Sequence, residues 1–164
     1  MTSRERVMAA LEMKPVDRVP LDLGGMNSTG ISCFAYPGLV AALGLPPRRP
    51  RVHDTGQMLA LPETDVLDAL NCDVITVHAD TCTNAFDEPE RWSEYDFGGR
   101  LSAQVMHPEN FKLLLDGSIR QGKDALMVPG SHVFDAPHGG QELNLTGDIP
   151  MEDLDALQEQ LEKQ

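Results

Sequence analysis

Basic residues are scarce in this chain: Lys and Arg number 13 against 26 Asp and Glu, a formal net charge of −13 over 164 residues. That deficit opposes binding to a phosphate backbone and attraction to anionic lipid, so neither nucleic acid nor membrane is an expected partner. Cysteine is sparse as well. Cys33, Cys72 and Cys82 cannot all pair within one chain, and none belongs to a CxxC. A reducing, cytoplasmic setting is therefore expected rather than a disulfide framework. Long apolar runs are missing too, all falling well short of the ~20 residues a membrane span needs. The opening Met1-Thr2-Ser3-Arg4-Glu5-Arg6 lacks the apolar stretch of a signal peptide.

What is present reads as one domain over 1–164, large enough for a real core but far short of the ~250 residues of a complete eight-fold barrel. Thr2 and Glu5 have capping-box spacing ahead of Val7, Met8 and Leu11, which predicts a first helix ending before Pro15. Residues 18–23 form a short apolar run that breaks into Gly24-Gly25-Met26-Asn27-Ser28-Thr29-Gly30, and 73–77 form another that ends in His78-Ala79-Asp80. Both have the length of buried parallel strands, with small or acidic residues at their C-terminal ends. Between them, 32–43 and 62–70 read as helices, with Gly44 and Asn71 as candidate caps and 46–50 as an extended connection. Short candidate strands at 94–97, 101–106 and 126–128 suggest an antiparallel excursion, while 111–115 is ambiguous between strand and helical turn. Residues 132–147 read as irregular, and a last helix opens at Pro150 with Leu154, Leu157 and Leu161 as its stripe. Met8, Met58, Met106 and Met127 read as core filler. The fold class expected is α/β: a partial (β/α)8 barrel of N-terminal helices and first strands plus an antiparallel β insertion.

Ser3-Arg4-Glu5-Arg6-Val7, Pro15-Val16-Asp17-Arg18-Val19-Pro20, Leu70-Asn71-Cys72-Asp73-Val74 leading to Asp80, and Glu152-Asp153-Leu154-Asp155 follow one another in order. In that order they resemble the N-terminal part of the uroporphyrinogen decarboxylase superfamily, which includes cobalamin-dependent methyltransferases. The resemblance implies a barrel of roughly twice this length, of which the chain would be a truncated or split portion. It also implies a homo-oligomer or a complementary barrel half as partner, and a small molecule or corrinoid as ligand. In the decarboxylases the loop after the first strand carries arginines that hold substrate carboxylates. Here residues 24–30 contain no arginine. Because arginine forks are the natural receptors of carboxylates, the departure favours the corrinoid methyltransferase branch over a porphyrinogen decarboxylase. The zinc that the methyltransferases commonly bind would have its ligands beyond Gln164. Asp80 carries over as the catalytic candidate, placed to orient a ligand. A non-catalytic binding or assembly module is the alternative from another class.

Several constellations have competing readings. His78, Asp80 and Cys82 alternate and would share one face of an extended segment; a polar strand end bordering a pocket is the better reading than zinc. Asn27, Ser28 and Thr29 are either an anion or substrate nest or a loop that caps a helix. Asp22 either faces the site or pairs with Arg18 or Arg51. His132, Asp135 and His138 have helical spacing, but Pro137 and Gly139-Gly140 make convergence on a metal unsupported. The substrate-binding candidates are thus Asp22, Asn27, Ser28, Thr29 and His78.

Overall fold

The computed structural model describes residues 1–76 and 92–135. Helix α1 (Ser3–Leu11) starts as its sequence requires: the Thr2 side chain accepts from the Glu5 N–H, and the Glu5 carboxylate accepts from the Thr2 N–H at 2.9 Å. Helix α2 (Tyr36–Ala42) is shorter than expected, because Ser32 begins with a turn and Pro37 occupies the first helical turn. Gly44 follows with φ +69°, the left-handed conformation that closes a helix at least cost when no Cβ is present. Helix α3 (Thr64–Ala69) ends at Leu70, with Asn71 in the left-handed region at φ 55°.

All pairing between named strands is antiparallel. Strands β1 (Val52–Asp54) and β2 (Leu59–Ala60) form a small hairpin, and β3 (Ser93–Asp96) pairs with β4 (Ser102–Val105), Ser93 facing Val105. The β3–β4 turn contains Gly98 and Gly99 at φ +64° and +74°, conformations that glycine adopts without a steric penalty. Strands β5 (Phe111–Leu113), β6 (Ile119–Gln121) and β7 (Ala125–Met127) make a three-stranded sheet in chain order. One core joins these pieces. Tyr36, Val40, Val52, Ala60 and Val66 meet Phe97, Ala103 and Val105, and then Phe111, Ile119 and Met127. Trp92 packs with Leu61 and Met106 beside it, under the Arg51 guanidinium at 5.4 Å from the ring centroid. No described helix is long and apolar enough to cross a membrane.

The partial barrel is overturned. Among the described residues, three α-helices and antiparallel sheets of two or three strands make a mixed fold, and the one parallel bridge, Arg51 to Gln104, is isolated. Residues 18–23 and 73–76 are not strands; Val77 lies outside the described residues. The cause is local chemistry. The Leu21 N–H donates to the Asp73 side chain and the Gly25 N–H to the Asp22 side chain, so carboxylates take donors that a strand would give to a neighbouring carbonyl. Pro20 also removes one donor outright. The two segments still run side by side in the same direction, with Arg18 bonded to Asn71 O, Asp73 N to Leu21 O and Thr76 Oγ1 to Gly24 O.

Met58 and Met127 are fully buried, and Met106 packs at the edge, as filler should. Met8 is instead 47% exposed. Residues 150–161, expected as a helix, lie outside the described residues.

Candidate functional site

The densest polar construction lies where α1 meets the paired segments. Arg6 projects from α1 and grips Asp17 in a two-point fork, Nε to Oδ1 at 2.6 Å and Nη2 to Oδ2 at 2.9 Å, while Nη1 reaches Asp73. Arg18 makes a second fork on Asp73, at 2.6 and 3.0 Å, and donates to Asn71 O at 2.9 Å. The Asp73 side chain is wholly buried, and the Leu21 N–H reaches it at 2.9 Å. Burial is the largest single influence on its ionisation and disfavours the charge, yet the donations from Leu21, Arg18, Ser3 and Arg6 outweigh it. They hold the carboxyl well below the usual range. Asp17 is likewise held down, chiefly by Arg6.

Above this junction sits the glycine-bounded loop 24–30, pinned from several sides. The Asp22 carboxylate accepts from Gly25 N at 2.7 Å and lies 3.1 Å from the Thr29 hydroxyl. Gly24 N donates to Thr29 O at 2.9 Å, Met26 N to Thr29 Oγ1 at 3.2 Å, and the Asn27 amide to Asp54 Oδ2 at 2.7 Å. Asn27, Ser28 and Thr29 form a single 3-10 turn. Most of the N–H groups an anion nest would offer are therefore already spent on the loop itself. What remains outward is the Met26 side chain, 59% exposed, with Asn27 and Ser28 exposed beside it: a neutral, mildly apolar tip.

The structure thus brings Asp22, Asn27, Ser28 and Thr29 into one loop. Asp22 serves that loop, since Arg18 is committed to Asp73. Asp80 and His78, with Cys82 and His138, lie outside the described residues. His132 stands edge-on to Phe34 at 4.7 Å, and Asp135 exchanges backbone hydrogen bonds with Leu126.

A zinc site finds no fit among the described residues, where no group of three or more His, Cys, Asp or Glu is placed to hold a metal. Burial pushes the fully buried Cys33 thiol up to about 12 and also raises Cys72, so neither is an activated nucleophile.

Sequence reasoning missed Asp73 as the hub, although it lies within the 70–74 stretch that carries the resemblance; the signal was an acidic residue opening an apolar run, with Arg6 and Arg18 available. It also missed a second cluster. Fully buried Tyr36 donates its hydroxyl proton to Glu63 and accepts from the Glu63 N–H at 3.1 Å, while Arg48 forks onto Asp65 at 2.7 Å. Those bonds tie α2 and the proline-rich connection to the start of α3.

No family model, curated protein or solved structure matches the chain.

Proposed function

We propose that the chain is uroporphyrinogen decarboxylase-like, of the corrinoid-dependent methyltransferase branch, and contributes a ligand-binding wall. One observation carries the reading. Arg6, Asp17 with Arg18, and Asp73 belong to three of the stretches that carry the resemblance, and their side chains converge in one ion-pair network. That convergence supports treating the three stretches as one constellation. The support comes from these side chains and their order, and none of it from barrel topology. The arginine-free, neutral tip of loop 24–30 favours a corrinoid or a smaller methyl donor over a tetrapyrrole bearing many carboxylates. A corrinoid, when bound, would supply the methyl group. Asp80 is the candidate for orienting the ligand, with Asn27 and Ser28 lining its approach.

Calorimetry with methylcobalamin, a porphyrinogen analogue and small thiols tests ligand class and residue ranking together. Cobalamin binding is expected, and Asp80→Ala should weaken it roughly tenfold to a hundredfold, the ~1.5–3 kcal/mol of a charge-assisted hydrogen bond. His138→Ala should leave it nearly unchanged. Equal effects from the two substitutions, or preference for the porphyrinogen analogue, would overturn the reading.

A non-catalytic assembly module is the second reading, favoured by large apolar side chains left in solvent: Leu11 at 73%, Met13 at 93%, Val19 at 81% and Ile75 at 67% exposure. It expects self-association or capture of a complementary chain. Light scattering at micromolar concentration should then give a mass above the monomer, and a monodisperse monomer would count against it.

A further inference from the structure

Helix α1 is attached in an unusual way. Its only buried residue is Arg6; Val7, Ala9 and Ala10 are half-buried, while Met8 and Leu11 are largely in solvent. A surface helix ordinarily docks by burying an apolar stripe. Here the attachment is polar, running through Arg6 to Asp17 and Asp73. The chain's amino group adds a contact to Asp17 at 3.1 Å.

We propose that α1 is a detachable arm, latched by Arg6, that opens as a unit of its own while the core stays folded. The network has two tiers. Arg6 is the release point, because its loss frees the helix yet leaves Asp73 with the Arg18 fork and the Leu21 N–H. Asp73 is the hub, because it serves both the helix and the side-by-side alignment of 18–24 with 71–76. Undocking also melts the arm. A nine-residue helix is too short to persist alone in water, even with its capping box, so release should appear as exchange of its amide hydrogens.

Hydrogen exchange by mass spectrometry on the full chain at neutral pH tests this with Arg6→Gln, Arg6→Lys and Asp73→Asn. In the wild type, amides of 3–11 should exchange through openings that spare β3 to β7. Arg6→Gln should speed that exchange roughly tenfold or more, as loss of charge-assisted bonds implies, with the rates of β3 to β7 unchanged. Arg6→Lys keeps the charge but not the fork and should fall between them. Asp73→Asn should speed exchange in 18–24 and 71–76 as well as in α1. If α1 exchanges only at the rate of the core in the wild type, or Arg6→Gln accelerates β3 to β7 as much as α1, or leaves α1 unchanged, the arm is part of the core and the proposal is overturned. Should Asp73→Asn fail to fold, the two Arg6 variants decide the matter alone.

Discussion

Replacing Phe97 with alanine is expected to remove about 3–5 kcal/mol of stability, the range for truncating a large aromatic in a packed core. For a chain of this length that corresponds to a fall in Tm of roughly 6–20 °C. Phe97 is fully buried immediately after β3, where three pieces of the fold meet. Its ring meets Tyr95 at 4.8 Å and 72° and Phe111 of β5 at 5.3 Å and 70°, both edge-on, and Phe111 in turn contacts Phe134 at 5.7 Å. Those contacts connect the β3–β4 pair to the three-stranded sheet, so the loss includes aromatic pairs worth about 0.5–1.5 kcal/mol each beyond area burial. With total stabilities of about 5–15 kcal/mol for ordinary domains, the variant should sit near the edge of folding. Urea denaturation followed by far-UV circular dichroism measures it. Phe97→Leu, which keeps much of the apolar volume, should lose less, and an alanine variant within about 1 kcal/mol of wild type would mean the two sheets do not depend on this contact.

The sequence made the capped and patterned elements legible. Thr2 and Glu5 announced α1, Gly44 marked the end of α2 and Asn71 that of α3, and the run at 101–106 that follows Gly98-Gly99 held β4, where Ala103 and Val105 are buried while Ser102 is exposed. Strands β1, β2 and β6 escaped notice, since two or three residues are too few to establish a period of two. The larger error was reading 18–23 and 73–77 as barrel strands. Apolar runs of that length have no strand-specific signal, and periodicity does not register that Asp22 and Asp73 turn inward to satisfy backbone donors. The same failing hid part of the candidate site. Asp22 was legible as a special position, but its role in pinning Gly25 and Thr29 depends on the chain folding back over itself. Val7, Met8 and Leu11 read as a packed stripe, although two of them face solvent and Arg6 does the anchoring.

Acid should unfold this protein earlier than its hydrophobic core alone would dictate, and Asp73→Asn should blunt that response. Asp73 and Asp17 both have folded-state pKa values below those of an unfolded chain. A carboxylate depressed in this way contributes stability that is fully present above its unfolded value near ~3.9 and is lost as pH falls toward the folded value. Asp65, held down by Arg48, and Glu5, held down by Thr2, shift in the same direction; like Asp17 they are exposed enough for solvent to weaken their contribution, which leaves buried Asp73 as the main group. Urea midpoints should therefore be flat from about pH 7 to 5 and fall steadily from about pH 5 to 2. At pH 7 the Asp73→Asn variant should already have lost stability, with Tm lower by roughly 10 °C, because the Arg18 fork and the Arg6 Nη1 keep their charge while the buried carboxylate they share is gone. Its further loss on acidification should be smaller than that of the wild type, since the most deeply buried of the titrating groups is no longer there. Parallel pH profiles for the two proteins, separated by a constant offset, would show that Asp73 is not the group through which acid acts.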